Sequence, residues 1–466
     1  MAGPPIRIQD TLTGRLRELE PRRAGRVGIY VCGPTVYGRI HVGNARPYVM
    51  FALFKRFLEH EGYDVTLVEN VTDINDKIYA AARERGVASG VLAQEMAALY
   101  RADTDRLGLE RPDSEPLASE TLAEIVALIE ALIDSGHAYE SGGDVYFSVR
   151  SFAGYGKLSN RRLEDLAPQD QGEEPDEGKA RKRDPLDFAL WKAHKPDEDT
   201  SWESPWGPGR PGWHIECSAM SEKVLGLDFE IHGGGSDLVF PHHENEIAQT
   251  EAARGLPLAR IWMHNGMIRF GEEKMAKSVG NVATLADALD RHGRDALVAF
   301  FLGGHYRQPL AYSEERMEEA AQALRRLTEF DRLLARAGDL AAGDSGPETE
   351  ALREEFLAAL RDDFNTPKAL AALFKLVAEG NRRLGAGEPL PGAAAVFAEL
   401  LQVLGLETLR DRVEEIDEEA LRLLGEREDA RRSRDFDRAD AVRAELLSRG
   451  WVVRDTPEGP VLVPAE

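Results

Sequence analysis

The sequence predicts an α/β protein built on a parallel sheet, with an insertion that splits the sheet and helices after it. Three observations carry this. Residues 26–68 read as strand, turn, helix, strand; residues 229–254 repeat the passage from strand to helix; and beyond Ser313 the apolar spacing becomes helical throughout.

Taken in order, Arg26 to Cys32 (RVGIYVC) is a short β-branched and aromatic run that ends at Gly33-Pro34, as a buried strand meeting a turn does. Ala45 to Glu61 then places Val49, Phe51, Leu53, Phe54 and Leu58 at helical spacing, and Asp64 to Val68 is a second strand. A strand, helix and strand in this order imply parallel pairing and ligands beyond the carboxyl ends of the strands. His41 and Gly43 fall in that crevice. Phe229 to His232 runs into the glycine-rich turn Gly233 to Asp237, and Pro241 opens a helical stretch ending near Arg254-Gly255. Trp262 to Phe270 reads as one further strand, followed by a loop from Gly271 to Ser278. Between the two halves, residues 110–210 form an insertion with helical patterns and a polar stretch, Asp170 to Arg183, whose charge and glycine content predict a loop.

The helical region carries a stripe at Ala321, Leu324, Leu327, Phe330 and Leu334, a connection over 338–348, then Phe356 to Leu384 and Ala393 to Leu404. A basic helix over Arg427 to Leu447 and a strand-like tail, Trp451 to Val463, complete the chain.

At 466 residues the chain should divide into two to four domains. Its hydrophobic share, 42 %, comes without an apolar run long enough to span a bilayer, so no membrane segment is expected. The first residues, Met1 to Pro5, lack a basic stretch leading into an apolar one, and the expected location is cytoplasmic. The net charge of −24 repels a polyanion at long range, although a local basic patch can still bind phosphates. Cysteine usage excludes a disulfide-stapled fold, since only Cys32 and Cys217 are present.

Two motifs bear on a nucleotide. His41-Val42-Gly43-Asn44 opens a helix, where free N–H groups and the dipole attract anions and Gly43 admits a flat ligand close to the backbone. Lys274-Met275-Ala276-Lys277-Ser278 sets two ammonium groups in a glycine-containing loop, which suits a triphosphate that gains charge on its leaving pyrophosphate. Each motif alone is as readily a solvated turn or a surface charge pair. A third set is chemically apt for zinc: the thiols of Cys32 and Cys217, with His242 and Glu246 one helical turn apart. No compact spacing joins these four, and by spacing alone the cysteines read as buried fillers.

Taken together, YVCGPTVY (Tyr30 to Tyr37), HVGN, ENVTDINDK (Glu69 to Lys77), GWHIECSAM (Gly212 to Met220), IHGGGSDLVFPHHENEIAQ (Ile231 to Gln249), KMAKS, DDFNTPKAL (Asp362 to Leu370) and the stretch Ala430 to Pro460 resemble the cysteinyl-tRNA synthetases, class I aminoacyl-tRNA synthetases. The match runs over nearly the whole chain. It implies a Rossmann-type catalytic domain split between residues 1–110 and 211–312, a connective insertion over 111–210, a helical bundle over 313–412 and a small anticodon-binding domain over 413–466. It further implies that Cys32, Cys217, His242 and Glu246 hold one zinc ion, and that His41, Gly43, Asn44, Gly235, Asp237, Lys274 and Lys277 bind ATP with magnesium, with His41 and both lysines catalytic. Thr35, Trp213 and His232 would line the amino-acid pocket, and Phe436 would meet the anticodon. The implied partners are ATP, L-cysteine and tRNA-Cys, with the chain a monomer. Asn44 stands where the class signature has a second histidine, and Ala276 where it has a serine. Asn can still donate a hydrogen bond, so a rate effect is expected rather than inactivity.

The expected reaction is attack of the cysteine carboxylate on the α-phosphorus of ATP, followed by transfer to a terminal ribose hydroxyl of the tRNA. Zinc would tell cysteine from nearly isosteric serine, which shape alone separates poorly. Two rivals are weighed: a ligase that joins cysteine to an aminosugar in mycothiol synthesis, and a noncatalytic relative. The first has no reason to keep Ala430 to Pro460, and the second no reason to keep the lysines and metal ligands.

Overall fold

The computed structural model describes residues 4–167, 180–270, 273–274, 283–411, 418–449, 451–456 and 459–464. The chain divides into two compact units, Met1–Leu409 and Arg410–Glu466.

The first unit is organised by a four-stranded parallel sheet in the order Ala259–Asn265, Phe229–Gly235, Arg26–Val31, Asp64–Glu69. The helix Val42–His60 crosses from the third of these to the fourth and covers one face. Phe51, Phe54 and Phe57 are all but fully buried on it, and burial of each such ring contributes roughly 1.5–3 kcal/mol. The packing is close enough to demand a glycine: a Cβ on Gly233 would lie 2.1 Å from the Phe51 ring. A side chain there would push the helix off the sheet.

The insertion leaves after the helices Asp76–Arg85 and Ser89–Asp105. It holds the helix Leu122–Asp134 and, beyond the helical patterns expected, a four-stranded antiparallel sheet of Ala138–Ser141, Asp144–Phe147, Phe188–Ala193 and Gly209–Pro211. Its first turn, Gly142-Gly143, has φ of 64° and 84°, the left-handed pair that a two-residue hairpin requires. The expected loop at Asp170 to Arg183 lies mostly outside the described residues.

Several elements are broken where the sequence suggested continuity. Trp262 to Phe270 is two strands, Ala259–Asn265 and Ile268–Phe270, in different sheets, because the chain turns at Gly266 against the backbone of Gln308. Phe356 to Leu384 is two helices, Pro347–Arg361 and Thr366–Gly385. Between them Asp363 and Phe364 take φ of 63° and 43°, which costs a non-glycine residue roughly 1–2 kcal/mol. That cost is offset locally: Phe364 packs its ring 5.0 Å from that of Phe54, and the Asp363 carboxylate accepts from Gln9 N, Tyr306 OH and Arg307 Nε. The helical stripe from Ser313 is a single helix, Glu314–Ala337, capped by the Ser313 hydroxyl.

The second unit pairs the helices Glu418–Arg432 and Phe436–Ser448 with the antiparallel hairpin Trp451–Thr456 and Gly459–Pro464. The single basic helix expected here is interrupted because Asp435 caps a new helix through Arg438 N, with Arg434 at φ 62°. Leu423, Val442, Leu446 and Trp451 form this unit's own core.

Candidate functional site

Cys32 follows the last residue of the Arg26–Val31 strand and keeps one more ladder bond, from its N–H to Gly233 O. It therefore sits at the carboxyl end of the sheet. Cys217 comes from the second turn of the helix Trp213–Leu225, while His242 and Glu246 flank the start of Glu244–Arg254. The entry to that last helix is irregular, with Phe240 extended, so Pro241 does not open a regular helix as its position suggested.

These four residues meet. One donor atom from each of Cys32, Cys217, His242 and Glu246 lies within 4.8 Å of all the others, and all four side chains are buried. Glu246 Oε1 is 3.2 Å from His242 Nε2 and accepts from Cys32 Sγ at 3.4 Å. Two thiols, an imidazole and a carboxylate match zinc in number and softness, and among the described residues no lysine or arginine pairs with any of them. A second set, Cys32, His232, His243 and Glu246, is equally close.

Burial sets the charge state. It drives His242 and His243 far below the usual imidazole value and takes His214 and His264 down to about 3, so all four are neutral. The Cys32 thiol is pushed up by burial and then by Cys217 and Glu246. Contact with Cys32 lowers Cys217, but burial and the Glu246 charge outweigh it and its pKa is also raised. A bound cation would reverse this for the thiols.

Around the cluster, His232 Nε2 bonds Glu246 Oε2 at 2.9 Å and its ring stacks on Trp262 at 4.3 Å. Strand register places it between Tyr30 and Trp262. Trp213 is half-buried with its ring 4.3 Å from His242, so both lie at the cluster's edge. Thr35 pairs with Thr72 in the neighbouring loop.

The His41–Asn44 turn is built separately. His41 caps the helix Val42–His60: its Nδ1 accepts from Asn44 N at 3.2 Å while Asn44 Oδ1 accepts from His41 N at 3.4 Å. This is a reciprocal capping box. A Cβ on Gly43 would lie 2.9 Å from His41 Nδ1, so glycine is what lets the imidazole fold back. Gly235 ends its strand and Asp237 is exposed in the turn that follows. The backbone of Lys274 pairs with that of Arg269; Lys277 lies outside the described residues. Phe436 is 63 % exposed at the first position of its helix, and so is no core residue.

The chain matches the model for class I (C) tRNA synthetase catalytic domains over residues 18–322, the DALR domain over 355–409 and the cysteinyl-tRNA ligase anticodon-binding domain over 413–459. It is 48 % identical to a cysteine–tRNA ligase of Alkalilimnicola ehrlichii, over 97 % of this chain and 98 % of that one. One from Symbiobacterium thermophilum is 45 % identical over the same shares. The chain belongs to the cysteine–tRNA ligase family. Among solved structures, a Mycobacterium tuberculosis methionyl-tRNA synthetase in complex with methionyl-adenylate shares the fold at TM-score 0.65 and 17 % identity, covering 83 % of this chain and 92 % of that one. Membership in this ligase family makes the chain a class I aminoacyl-tRNA synthetase by fold and by catalytic domain. No described helix is long and apolar enough to cross a membrane.

Four residues that shape this ligase-family site went unassigned in the sequence. His243 Nε2 lies 3.3 Å from Cys32 Sγ, its Nδ1 is 2.8 Å from His264 Nε2, and His264 Nδ1 is 2.8 Å from Thr11 Oγ1. Asn70 Oδ1 accepts from Gly33 N at 2.9 Å and from Cys217 Sγ at 3.7 Å, holding one cysteine's turn beside the other cysteine. The His242-His243 pair was the available signal; for Thr11 and Asn70 there was none beyond proximity to a motif.

Proposed function

We propose that the chain activates L-cysteine with ATP and transfers the cysteinyl group to tRNA-Cys, with one zinc ion held by Cys32, Cys217, His242 and Glu246. The observation that carries this is the buried convergence of those four donors at the carboxyl end of the parallel sheet, where ligands bind in such folds.

Zinc supplies a soft Lewis acid that favours a substrate thiol over the hydroxyl of serine. The protein's own groups do the rest. Glu246 is held by His232 and His242 and so keeps a fixed carboxylate facing both cysteines. In this reading Trp213 and His232, whose rings lie against His242 and Trp262, line the amino-acid pocket together with Thr35, which pairs with Thr72. The His41 turn offers the helix N-terminus to ATP, whose magnesium complex is the substrate, with Gly235 and Asp237 nearby in sequence to the pocket strand. Lys274 and Lys277 neutralise the pyrophosphate as it leaves.

The domain reading stays as the sequence suggested it, with 413–466 as the anticodon-binding part, supported by the unit that begins at Arg410. There Phe436, which is exposed, would stack on an unpaired base. The chain is read as a cytoplasmic monomer. Cysteine-dependent exchange of pyrophosphate into ATP tests the central reading, with serine as control and charging of tRNA-Cys as the second step. Exchange with cysteine and none with serine is expected; equal exchange with both amino acids would remove the metal from the selectivity argument.

A further inference from the structure

Arg46 lies one turn beyond the His41 cap and is fully buried. Its Nη1 donates to Gly266 O at 2.5 Å and Gln308 O at 2.8 Å, and its Nη2 to His305 O at 3.0 Å. No carboxylate pairs with it among the described residues. Burial lowers its pKa only to about 10, so it stays charged at neutral pH. A buried cation answered by carbonyl dipoles alone is a costly placement, and the fold keeps it at one specific junction.

That junction brackets the second ATP motif. Gly266 joins the strand Ala259–Asn265 to Ile268–Phe270, after which the chain enters residues 271–282, where Lys274 and Lys277 lie. Gly266 also donates to Tyr306 O at 2.7 Å, and a Cβ on it would meet Gln308 at 2.4 Å, so only glycine lets these backbones close. The turn that supplies the other carbonyls is pinned from behind, since Tyr306 OH and Arg307 Nε both donate to Asp363 at 2.7 Å. At the far end of the same segment, Val42 N donates to Ala283 O at 3.1 Å and Leu285 N to Ile40 O at 3.0 Å. Gly266 before the lysine-bearing stretch and Ala283 after it are thus both bonded to residues of the 40–46 stretch.

We propose that Arg46 is a positioning residue for adenylation, clasping Gly266 and the 305–308 turn to the helix that His41 caps and so fixing the strand Ile268–Phe270, with which the backbone of Lys274 pairs, relative to the His41 turn. The inference rests on the ATP reading given above. Arg46→Met removes the clasp and Arg46→Lys keeps the charge but loses the two-armed geometry. In pyrophosphate exchange Arg46→Met should lose kcat by about 10- to 100-fold, as misplacement of reacting groups does. Its KM for ATP should rise while its KM for cysteine and its zinc content stay parental, and Arg46→Lys should fall between.

Parental kcat and ATP KM in Arg46→Met would overturn the inference. So would joint loss of zinc, cysteine affinity and kcat, which marks a general scaffold. If Arg46→Met fails to fold, Arg46→Lys decides by the same split, and parental behaviour there overturns it. His41→Ala separates the two levels. Parental exchange in His41→Ala withdraws the ATP reading and this inference with it, whereas collapse there beside a parental Arg46→Met overturns the Arg46 role alone.

Discussion

The four-donor cluster and the His41 turn are two ways of building a site. The cluster draws Cys32, Cys217, His242 and Glu246 from separate elements and buries all of them. The turn is made within four residues, His41 to Asn44, and is partly open to solvent. A local site inherits its geometry from the helix end, where N–H groups are unpaired whatever the rest of the fold does. A distributed site exists only once the fold has brought one strand end and two helices together, so each of its ligands depends on packing elsewhere. The cluster should therefore fail as a whole, and the turn by degrees.

The largest effect should follow Cys217→Ser. Loss of an outer contact to a metal ligand already costs about 10- to 100-fold in affinity or activity, so exchange of a ligand thiol for a hydroxyl should cost more than that. Metal analysis should show the parental protein holding one zinc per chain and the variant little. Cysteine-dependent exchange should collapse while ATP binding persists. A variant with full zinc would shift the ligand set to Cys32, His232, His243 and Glu246, the alternative that the geometry allows.

That alternative shows how far the sequence could be read. The helix start at His41 to Asn44 was legible from the sequence, but the reciprocal capping of His41 and Asn44 was not, since a solvated turn fits the same four residues. The parallel sheet was legible from its strand and helix order. The ligand set was named through family resemblance, because nothing in the spacing of Cys32 and Cys217 says that Asn70 will reach toward both their segments. Nor could the relay of Thr11, His264 and His243 be read, for it joins the N-terminal hairpin to a strand end through side chains alone. The insertion's sheet was missed for a different reason: Gly142-Gly143 between Tyr139 and Tyr146 was a hairpin signal, overshadowed by the helical pattern before it.

A smaller loss should attend Lys277→Ala, which on the proposed ATP reading removes one charge from beside the leaving pyrophosphate. Adenylate formation should slow by ~100-fold, the scale of one preorganised electrostatic contact, with zinc content and cysteine affinity unchanged. Pre-steady-state adenylation is the measurement. A parental rate would leave the ATP site resting on the His41 turn alone and widen the contrast between the two regions.

The smallest effect is also the sharpest probe of what the turn is for. Asn44 stands at the third helical position, where its Oδ1 accepts from His41 N and its own N–H donates to His41 Nδ1. If the turn were only a helix cap, Asn44→Asp should be harmless or better: the carboxylate still accepts from His41 N, and a negative charge near a helix N-terminus is worth about 0.3–1 kcal/mol. If the turn binds a triphosphate, the same charge repels it, and at the high dielectric of an exposed site that repulsion is about 1 kcal/mol. The KM for ATP should then rise about fivefold, the factor that corresponds to 1 kcal/mol, while the melting temperature holds or climbs. Stability and ATP affinity moving in opposite directions would separate the turn's two roles within one side chain. Parallel gains in both would mean that the capping box is structural and that the triphosphate lies elsewhere.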